Sequence, residues 1–272
     1  MSKGIYTSLS GAMAQSRQVE ALANNLANAG TTGFKKDDLT FREHLSILTD
    51  PSKRSPVPRV EFSPKQFHQL HGADKSFATT DASYTDFSQG ALKLSNRDLD
   101  TAISGPGFFE IATPRGLRYT RNGVFNRSNE GLLVNAQGFP VLSKADAASE
   151  DAFTSPESRA IQLENGKVHI THNGDVYVNG NFLASLQVTE FVDGTQLKKE
   201  GANLLINQDP TNISKEGPQS QVLQRHLESS NVNPVSEMVR LMEAQRLFEE
   251  NMKTIKQFDA VEKLAASDLG NF

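Results

Sequence analysis

Apolar and small side chains recur at alternating steps of four and three residues along the first part of the chain. This spacing places them along one face of a helix, as in a heptad repeat. No proline interrupts residues 3–29, and Gly30 and Gly33 follow the last member of the pattern, where glycine commonly ends a helix. The chain is therefore predicted to begin with a helix whose stripe consists of Ile5, Leu9, Ala12, Ser16, Val19, Ala23 and Leu26.

A second stripe of the same kind lies near the other end of the chain. Asn233 is suited to cap a helix, and Pro234 is suited to its first turn. The pattern that follows predicts a helix that continues to about residue 266. Its stripe consists of Val235, Met238, Met242, Gln245, Phe248, Met252, Ile255 and Phe258.

Neither predicted helix is expected to be stable by itself in water, because a single helix gains most of its stability by packing its apolar face. The two termini are therefore expected to pair as an antiparallel hairpin within one chain. A second interpretation adds contacts with other copies, since several alanines make the N-terminal surface small and weakly charged. The pattern alone leaves this second interpretation open.

The middle of the chain has a different pattern. Asn-Gly pairs, which favour tight hairpin turns, occur at 122–123, 165–166, 173–174 and 179–180. Short apolar segments of strand length surround them. This arrangement predicts an antiparallel β domain of the sandwich or barrel-like kind.

The predicted fold class is α+β, with N- and C-terminal helices paired as a coiled-coil-like base and an antiparallel all-β domain inserted between them. Residues 35–48 are expected to form a short helix or loop. Four prolines between residues 51 and 64 then predict an extended connector, and residues 143–159 read as a surface insertion. The predicted domains are 1–34 (N-terminal helix), 35–88 (connector), 89–225 (β domain) and 226–272 (C-terminal helix).

Composition narrows the function classes. The chain has 272 residues and a net charge of −4, which is too balanced for a dedicated nucleic-acid binder. The absence of cysteine excludes disulfides, thiolate metal sites and cysteine nucleophiles. No apolar run reaches the length of a membrane span, and the first residues lack the apolar core of a secretory signal.

The candidate chemistry is sparse. His68 and His71, and likewise His169 and His172, are spaced as H-x-x-H, but no further ligand completes either pair, so we interpret them as solvated histidines. No phosphate-binding loop or nucleophile elbow occurs, and scattered carboxylate pairs such as Glu249 and Glu250 lie on an amphipathic helix, where a solvated face is expected. We therefore predict no enzyme activity, no cofactor and no metal site.

Three motifs in order resemble one known family. Residues 23–34 read Ala-Asn-Asn-Leu-Ala-Asn-Ala-Gly-Thr-Thr-Gly-Phe. Residues 5–12, which precede them, fit the same family pattern. Residues 227–233 with 243–251, and in the centre residues 99–109 with 119–125, complete the pattern. They resemble the flagellar axial proteins of bacteria, which are rod, hook and hook-associated proteins. The start of the chain and residues 230–235 resemble the proximal (F-type) rod protein more than the distal one.

The resemblance implies a structural subunit of the basal-body rod, a hollow shaft that transmits torque to the hook. It implies assembly with other axial proteins and with copies of the same chain, and no partner among nucleic acids. It also implies export by the flagellar type III apparatus without a cleaved signal peptide, and a place in the periplasmic rod. Gly30 and the 143–159 insertion depart from the family pattern.

The stripes and motifs together define a predicted assembly interface. Two alternatives to the function of a proximal rod subunit are a distal rod or hook-type axial protein of the same family, and a periplasmic enzyme that acts on peptidoglycan. The predicted interface residues are Ile5, Leu9, Val19, Leu22, Asn24, Asn25, Leu26, Asn28, Gly33, Phe34, Asn231, Val235, Met238, Met242, Gln245, Arg246, Phe248, Met252 and Ile255.

Overall fold

The computed structural model describes residues 3–46, 75–144, 156–214 and 219–269. The chain divides into two compact units. The first, called the helical unit below, comprises residues 1–26, 37–84 and 234–272. The second, called the β unit, comprises residues 27–36 and 85–233. Each unit is therefore built from segments that are distant in sequence.

Two long helices and one strand pair form the described part of the helical unit. Helix α1 spans Lys3–Ala27 and helix α2 spans Pro234–Leu269, which confirms both predicted helices. Strand β1 (Asp37–Ser46) pairs with β2 (Lys75–Thr85) in a two-stranded sheet. Among the described residues, neither helix has an apolar stretch long enough to cross a membrane.

Strand β1 corrects one expectation, because residues 35–48 were predicted to form a short helix or loop. Leu39 and Phe41 alternate with polar residues at the period of a strand, and the Thr40 hydroxyl donates to the Ala82 carbonyl oxygen at 3.1 Å. The partner strand begins some thirty residues later, beyond the reach of a local pattern. The prolines of the predicted connector, with His68 and His71, lie outside the described residues.

Short antiparallel strands make up the β unit. A five-stranded sheet has the order β12-β5-β6-β14-β13, and a three-stranded sheet has the order β11-β10-β9. The pairs β15-β4, β16-β3 and β7-β8 complete it. The strands are β3 (Leu92–Leu94), β4 (Thr101–Ser104), β5 (Phe108–Thr113), β6 (Gly116–Thr120), β7 (Asn126–Arg127), β8 (Leu133–Val134), β9 (Val168–Ile170), β10 (Asp175–Val178), β11 (Asn181–Ser185), β12 (Val188–Thr189), β13 (Leu197–Gly201), β14 (Leu204–Asn207), β15 (Gln221–Gln224) and β16 (His226–Glu228).

Two of the four Asn-Gly pairs join neighbouring strands, as their turn chemistry predicts. Asn179 and Gly180 have φ values of 53° and 89° and connect β10 to β11 as a two-residue turn. The pair at 173–174 lies in the loop between β9 and β10. The other two pairs lie outside these hairpins. The α+β class, with a central antiparallel β region between two helices, is confirmed.

The core of the β unit is internally complete. Phe109 and Phe125 are fully buried and meet edge to face, with ring centroids 5.1 Å apart. Leu133, Val141 and Val176 belong to the same buried cluster. A second cluster surrounds Phe108 and Tyr119. Of the 143–159 insertion, residues 145–155 lie outside the described residues, and Pro156–Arg159 form a short 3-10 helix.

Candidate assembly interface

Small and polar residues take part in the contact between α1 and α2, together with Leu22. A methyl group added at Gly11 would lie 3.3 Å from the Asn251 side-chain oxygen, so the two helices approach closely at that point. Farther along, Leu22 of α1 and Ala244 of α2 are both buried and line a common cavity. The row on α1 that faces α2 thus includes Gly11, Gln15, Gln18 and Leu22, which lies beside the predicted stripe on the helix surface.

Part of the α1 surface at the predicted stripe is exposed, although Ala12 of the stripe is buried. Leu9 is 44% exposed, and Tyr6 and Met13 on the neighbouring surface are exposed as well. Ile5, Val19 and Leu26 are half-buried, whereas Leu22 is buried. A face of large apolar side chains that the chain does not cover itself is typical of an interaction surface.

The first turns of α2 show the same feature more strongly. Val235 is 69% exposed and Met242 is 59% exposed, and Met238 and Val239 are open to solvent between them. Their spacing places all four on one helix face. We call these four residues the α2 apolar face. Farther along α2, Gln245 and Arg246 are exposed, and Phe248, Met252 and Ile255 are half-buried.

The motif residue Asn25 acts within the helical unit. Its side chain is fully buried and donates to the Asp37 carbonyl oxygen at 2.8 Å, while its own oxygen accepts from the Asp37 amide at 3.0 Å. The backbone amide and carbonyl of Asp37, at the start of β1, are therefore both hydrogen-bonded to the Asn25 side chain. Its neighbour Asn24 is exposed and has its own polar partner.

Asn28, in the β unit, stabilises the turn that follows α1. The Thr31 amide donates to the Asn28 carbonyl oxygen at 3.0 Å, and the Thr31 hydroxyl donates to the Asn28 side chain at 3.2 Å. These two bonds give partners to the amide and the hydroxyl of Thr31 just after the end of α1.

Gly33 is required by both conformation and space. Its φ is +69°, and a Cβ added there would lie 2.6 Å from the Asn122 backbone nitrogen. The Gly33 amide donates to the Glu228 carbonyl oxygen at 2.8 Å. Any larger residue would therefore displace this part of the β unit. Phe34 beside it is buried, with the Lys199 ammonium 4.4 Å from its ring centroid.

Asn231 ties together two segments of the β unit. Its side-chain oxygen accepts from the Lys36 amide at 2.8 Å, and its side-chain nitrogen donates to the Asp86 carbonyl oxygen at 2.8 Å. The Asp86 amide in turn donates to the Lys36 carbonyl oxygen at 2.9 Å. The Asn231 side chain therefore links the Lys36 and Asp86 backbones into a closed ring of hydrogen bonds.

A buried charge cluster adjoins this ring, and the sequence pattern did not reveal it. The Glu228 carboxylate is fully buried and accepts from the Lys35 ammonium at 2.5 Å, from the Gly90 amide at 2.8 Å and from Arg121 at 3.4 Å. The Arg121 guanidinium also stands 4.6 Å from the centroid of the Phe108 ring. Burial lowers the pKa of Lys35, although the hydrogen bond and charge of Glu228 oppose this effect. All three charged residues lie within or next to the family motifs.

The described residues contain no cluster suited to hold a metal ion. His169 and His172 are both exposed, which agrees with their interpretation as solvated side chains.

Comparison with known proteins decides the family. The model described as "Flagella basal body rod protein" matches residues 5–35, "Flagellar hook protein FlgE/F/G D1 domain" matches 102–182, and "Flagellar basal body rod FlgEFG protein C-terminal" matches 223–267. The flagellar basal-body rod protein FlgF of Caulobacter vibrioides is 32% identical over 99% of this chain and 99% of its own length. This chain belongs to the flagellar basal-body rod protein family.

Other relatives of this rod protein carry two different names. FlgF of Rhizobium meliloti is 31% identical over 92% of this chain and 90% of its own length. FlgG of Borreliella burgdorferi is 30% identical over 95% of this chain and 96% of its own length. Because the family is one of structural rod proteins, the chain is a structural protein and not an enzyme. This excludes the peptidoglycan-acting enzyme considered from the sequence.

The structure divides the predicted interface residues of this rod protein into two groups. Asn25, Gly33, Phe34 and Asn231 make contacts within the chain. Leu9 and the α2 apolar face remain open. Both groups lie within the matched terminal segments, so the family similarity covers residues that hold the fold as well as residues available to neighbours.

Proposed function

We propose that this rod protein is the proximal, F-type subunit of the flagellar rod, and that it assembles with copies of itself and with other axial proteins through α1 and α2. In the assembled shaft the two helices form the coiled-coil-like base expected from the sequence. The shaft transmits torque to the hook. The observation that carries the proposal is the α2 apolar face, which the single chain leaves uncovered.

The energetic reason is the cost of leaving this face in water. Burying a Val or Met side chain contributes roughly 1.5–3 kcal/mol, so four such residues on one face favour association strongly. A helical shaft repeats the same contact at each subunit, since heterologous contacts that do not close a ring generate filaments. The predicted interface residues Ile5, Val19, Leu26, Phe248, Met252 and Ile255 extend the same association along both helices.

Location and export follow from family resemblance. The flagellum is the site of basal-body rod proteins. We infer that this subunit lies in the periplasmic rod, and that the flagellar type III apparatus exports it without a cleaved signal peptide. A chain without cysteine is compatible with passage in an unfolded state and with an oxidising compartment.

The assembly proposal is tested by making the α2 apolar face polar. A Val235→Ser/Met238→Ser/Met242→Ser variant is expressed in cells that lack the native chain, and its amount is measured in the exported fraction and in purified basal bodies. We expect export without incorporation, and cells without hooks. Val192→Ser is the matched control, because Val192 is 78% exposed in the β unit. Normal rods built from the triple variant would contradict the proposal.

The F-type assignment needs a separate test, because FlgF and FlgG relatives have similar identities to this chain. Cryo-electron tomography of basal bodies that carry a tagged chain locates the subunit along the rod. We expect density near the cell-proximal part. Density in the part next to the hook would instead support the distal alternative.

A further inference from the structure

The Asn-Gly pair at 165–166 lies outside the hairpins, in an exposed bend just before β9. Glycine is nevertheless required there, because a Cβ added at Gly166 would lie 2.3 Å from the side-chain nitrogen of Asn179. That nitrogen donates to the Asn165 carbonyl oxygen at 3.2 Å, and the Asn179 side-chain oxygen accepts from the Lys167 amide at 3.1 Å. The fold therefore keeps a glycine after Asn165, although the pair is not a hairpin turn.

Asparagine followed by glycine combines an electrophile with a nucleophile. The side-chain amide carbon of asparagine can be attacked by the backbone nitrogen of the next residue, which closes a succinimide ring. Glycine has no side chain to hinder the attack. Ring closure is favoured where the attacking N–H is free and where the attacked carbonyl is polarised by a hydrogen-bond donor, since the intermediate carries negative charge on that oxygen.

Both conditions are met at Asn165. The Arg127 guanidinium donates to the Asn165 side-chain oxygen, which places a positive charge at the atom that becomes negative on attack. In the part of the chain that the structure describes, no group accepts a hydrogen bond from the Gly166 amide. Asn165 and Gly166 are both exposed, so water reaches the nucleophile and the ring that it forms.

The three other Asn-Gly pairs lack this combination. In the pair at 173–174 the glycine amide donates to the Thr171 carbonyl oxygen at 3.0 Å, so the nucleophile is engaged. The Asn179 side chain is held by its two hydrogen bonds across the bend. Asn122 is half-buried and accepts from the Val124 amide at 3.1 Å through its side-chain oxygen, and the glycine after it is buried.

We propose that Asn165 is a self-modification site, at which the Gly166 nitrogen attacks the Asn165 side-chain carbon with Arg127 stabilising the oxyanion. The Gly166 amide proton passes to water, a new C–N bond closes the succinimide ring, and the bond to the side-chain nitrogen breaks to release ammonia. Water then opens the ring at either carbonyl, which leaves aspartate or isoaspartate at position 165. The reaction consumes one water and needs no oxidant, cofactor or partner protein. All of its groups lie in the β unit, so it does not depend on assembly.

The two products differ in their effect on the bend. Aspartate places a carboxylate beside Arg127, so the contact persists as an ion pair. Isoaspartate inserts an extra carbon into the backbone at the residue whose carbonyl oxygen accepts from Asn179. That product therefore disturbs the hydrogen bonds that join the bend to the turn between β10 and β11.

Peptide mapping by mass spectrometry of the aged full chain tests the site. In the folded chain we expect Asn165 to convert about tenfold faster than the other three asparagines, because each of those must first leave a hydrogen bond or a packed position. In the urea-denatured chain the four pairs should convert at similar rates, since the contacts of the fold are lost. Equal rates in the folded chain, or aspartate without isoaspartate, would overturn the proposal.

Removal of the cation tests the role of Arg127. Arg127→Met is expected to slow conversion at Asn165 in the folded chain about fivefold, the size of one solvent-exposed charge contact. Arg127→Lys keeps the charge with a smaller change of shape, and its rate should lie between those of the native chain and Arg127→Met. Arg115→Met is the matched control, because Arg115 is exposed and pairs with Glu200 instead. Conversion at Asn165 that is unchanged or faster in both Arg127 variants would overturn the proposal.

Discussion

The β unit and the helical unit differ in how much of their apolar surface is buried within one chain. In the β unit, strands distant in sequence enclose Phe109, Phe125 and their neighbours completely. Its exposed large apolar residues, such as Leu94 and Val192, occur singly, which is normal for a protein surface. In the helical unit, exposed large apolar residues recur at helical spacing, as Tyr6, Leu9 and Met13 on α1 and as the α2 apolar face. One unit is complete as a single chain, and the other has surface that an assembly would bury.

The two units also use polar groups differently. Within the β unit, Glu228 is fully buried among Lys35, Arg121 and the Gly90 amide. In the helical unit, Glu237 is buried, but the Lys263–Asp259 ion pair on α2 lies at the surface. Buried charges make a fold sensitive to single substitutions, whereas surface pairs contribute little. Substitutions should therefore affect the two units separately.

The largest expected effect is on the β unit. Glu228→Gln keeps the shape of the side chain but leaves Lys35 and Arg121 as buried cations without their carboxylate. Loss of one partner from a buried ion pair costs about 3–5 kcal/mol, so the free energy of unfolding should fall by about that amount. Urea denaturation of the purified chain measures it. Glu130→Gln, at an exposed turn, is the control, and equal midpoints for the two variants would show that the buried cluster does not stabilise the unit.

A smaller effect is expected in the helical unit. Asn25→Ala removes two hydrogen bonds to Asp37 and leaves the Asp37 amide and carbonyl without that partner, at a cost of about 1–3 kcal/mol. Hydrogen exchange should quicken at the end of α1 and at the start of β1, with the strands of the β unit unchanged. Asn24→Ala is the neighbouring control. Faster exchange throughout the β unit would contradict the separation of the two units.

The smallest expected effect is on the stability of the β unit at low pH. Partial burial raises the pKa of Asp86, but hydrogen bonds from the Ser88 amide and hydroxyl and the charge of Lys36 outweigh it, so the pKa lies below its usual value. A carboxyl whose pKa is lowered by folding stabilises the fold above its unfolded pKa, and that contribution is lost as pH falls through the folded pKa. Asp86→Asn should therefore reduce the acid sensitivity of the β unit slightly. Unfolding curves of both proteins between neutral pH and about pH 3 measure the difference, and parallel curves would refute it.

Sequence alone predicted the parts of the fold that depend on local pattern. The apolar periodicity located α1 and α2 within a few residues, and the turn chemistry at 179–180 located a hairpin. Strand β1 was missed because its partner lies beyond the proline-rich segment. Local periodicity also cannot show which face of a helix meets its neighbour when the contact is made by a glycine and an asparagine, as at Gly11 and Asn251.

The exposure of side chains at the candidate interface was predictable to a similar extent. The stripe identified Leu9, Val235, Met238 and Met242, all of which the structure leaves exposed. The internal roles of Asn25 and Asn231 were not predictable, because hydrogen bonds to backbone groups 12 and 195 residues away leave no local pattern. The charges of Lys35, Arg121 and Glu228 resemble solvated residues until the fold brings them together. The assignment of the predicted interface residues to assembly stays a prediction.

The β unit buries its core within one chain, and we propose that the exposed apolar faces of α1 and α2 are covered only in the rod. Hydrogen exchange of the isolated chain and of the same chain in purified basal bodies tests it most directly. We predict equal protection from hydrogen exchange for the strands of the β unit in both states. Along α1 and α2 we predict a large gain of protection in the rod. Helices that are already as protected in the dilute monomer as in the rod would contradict the claim.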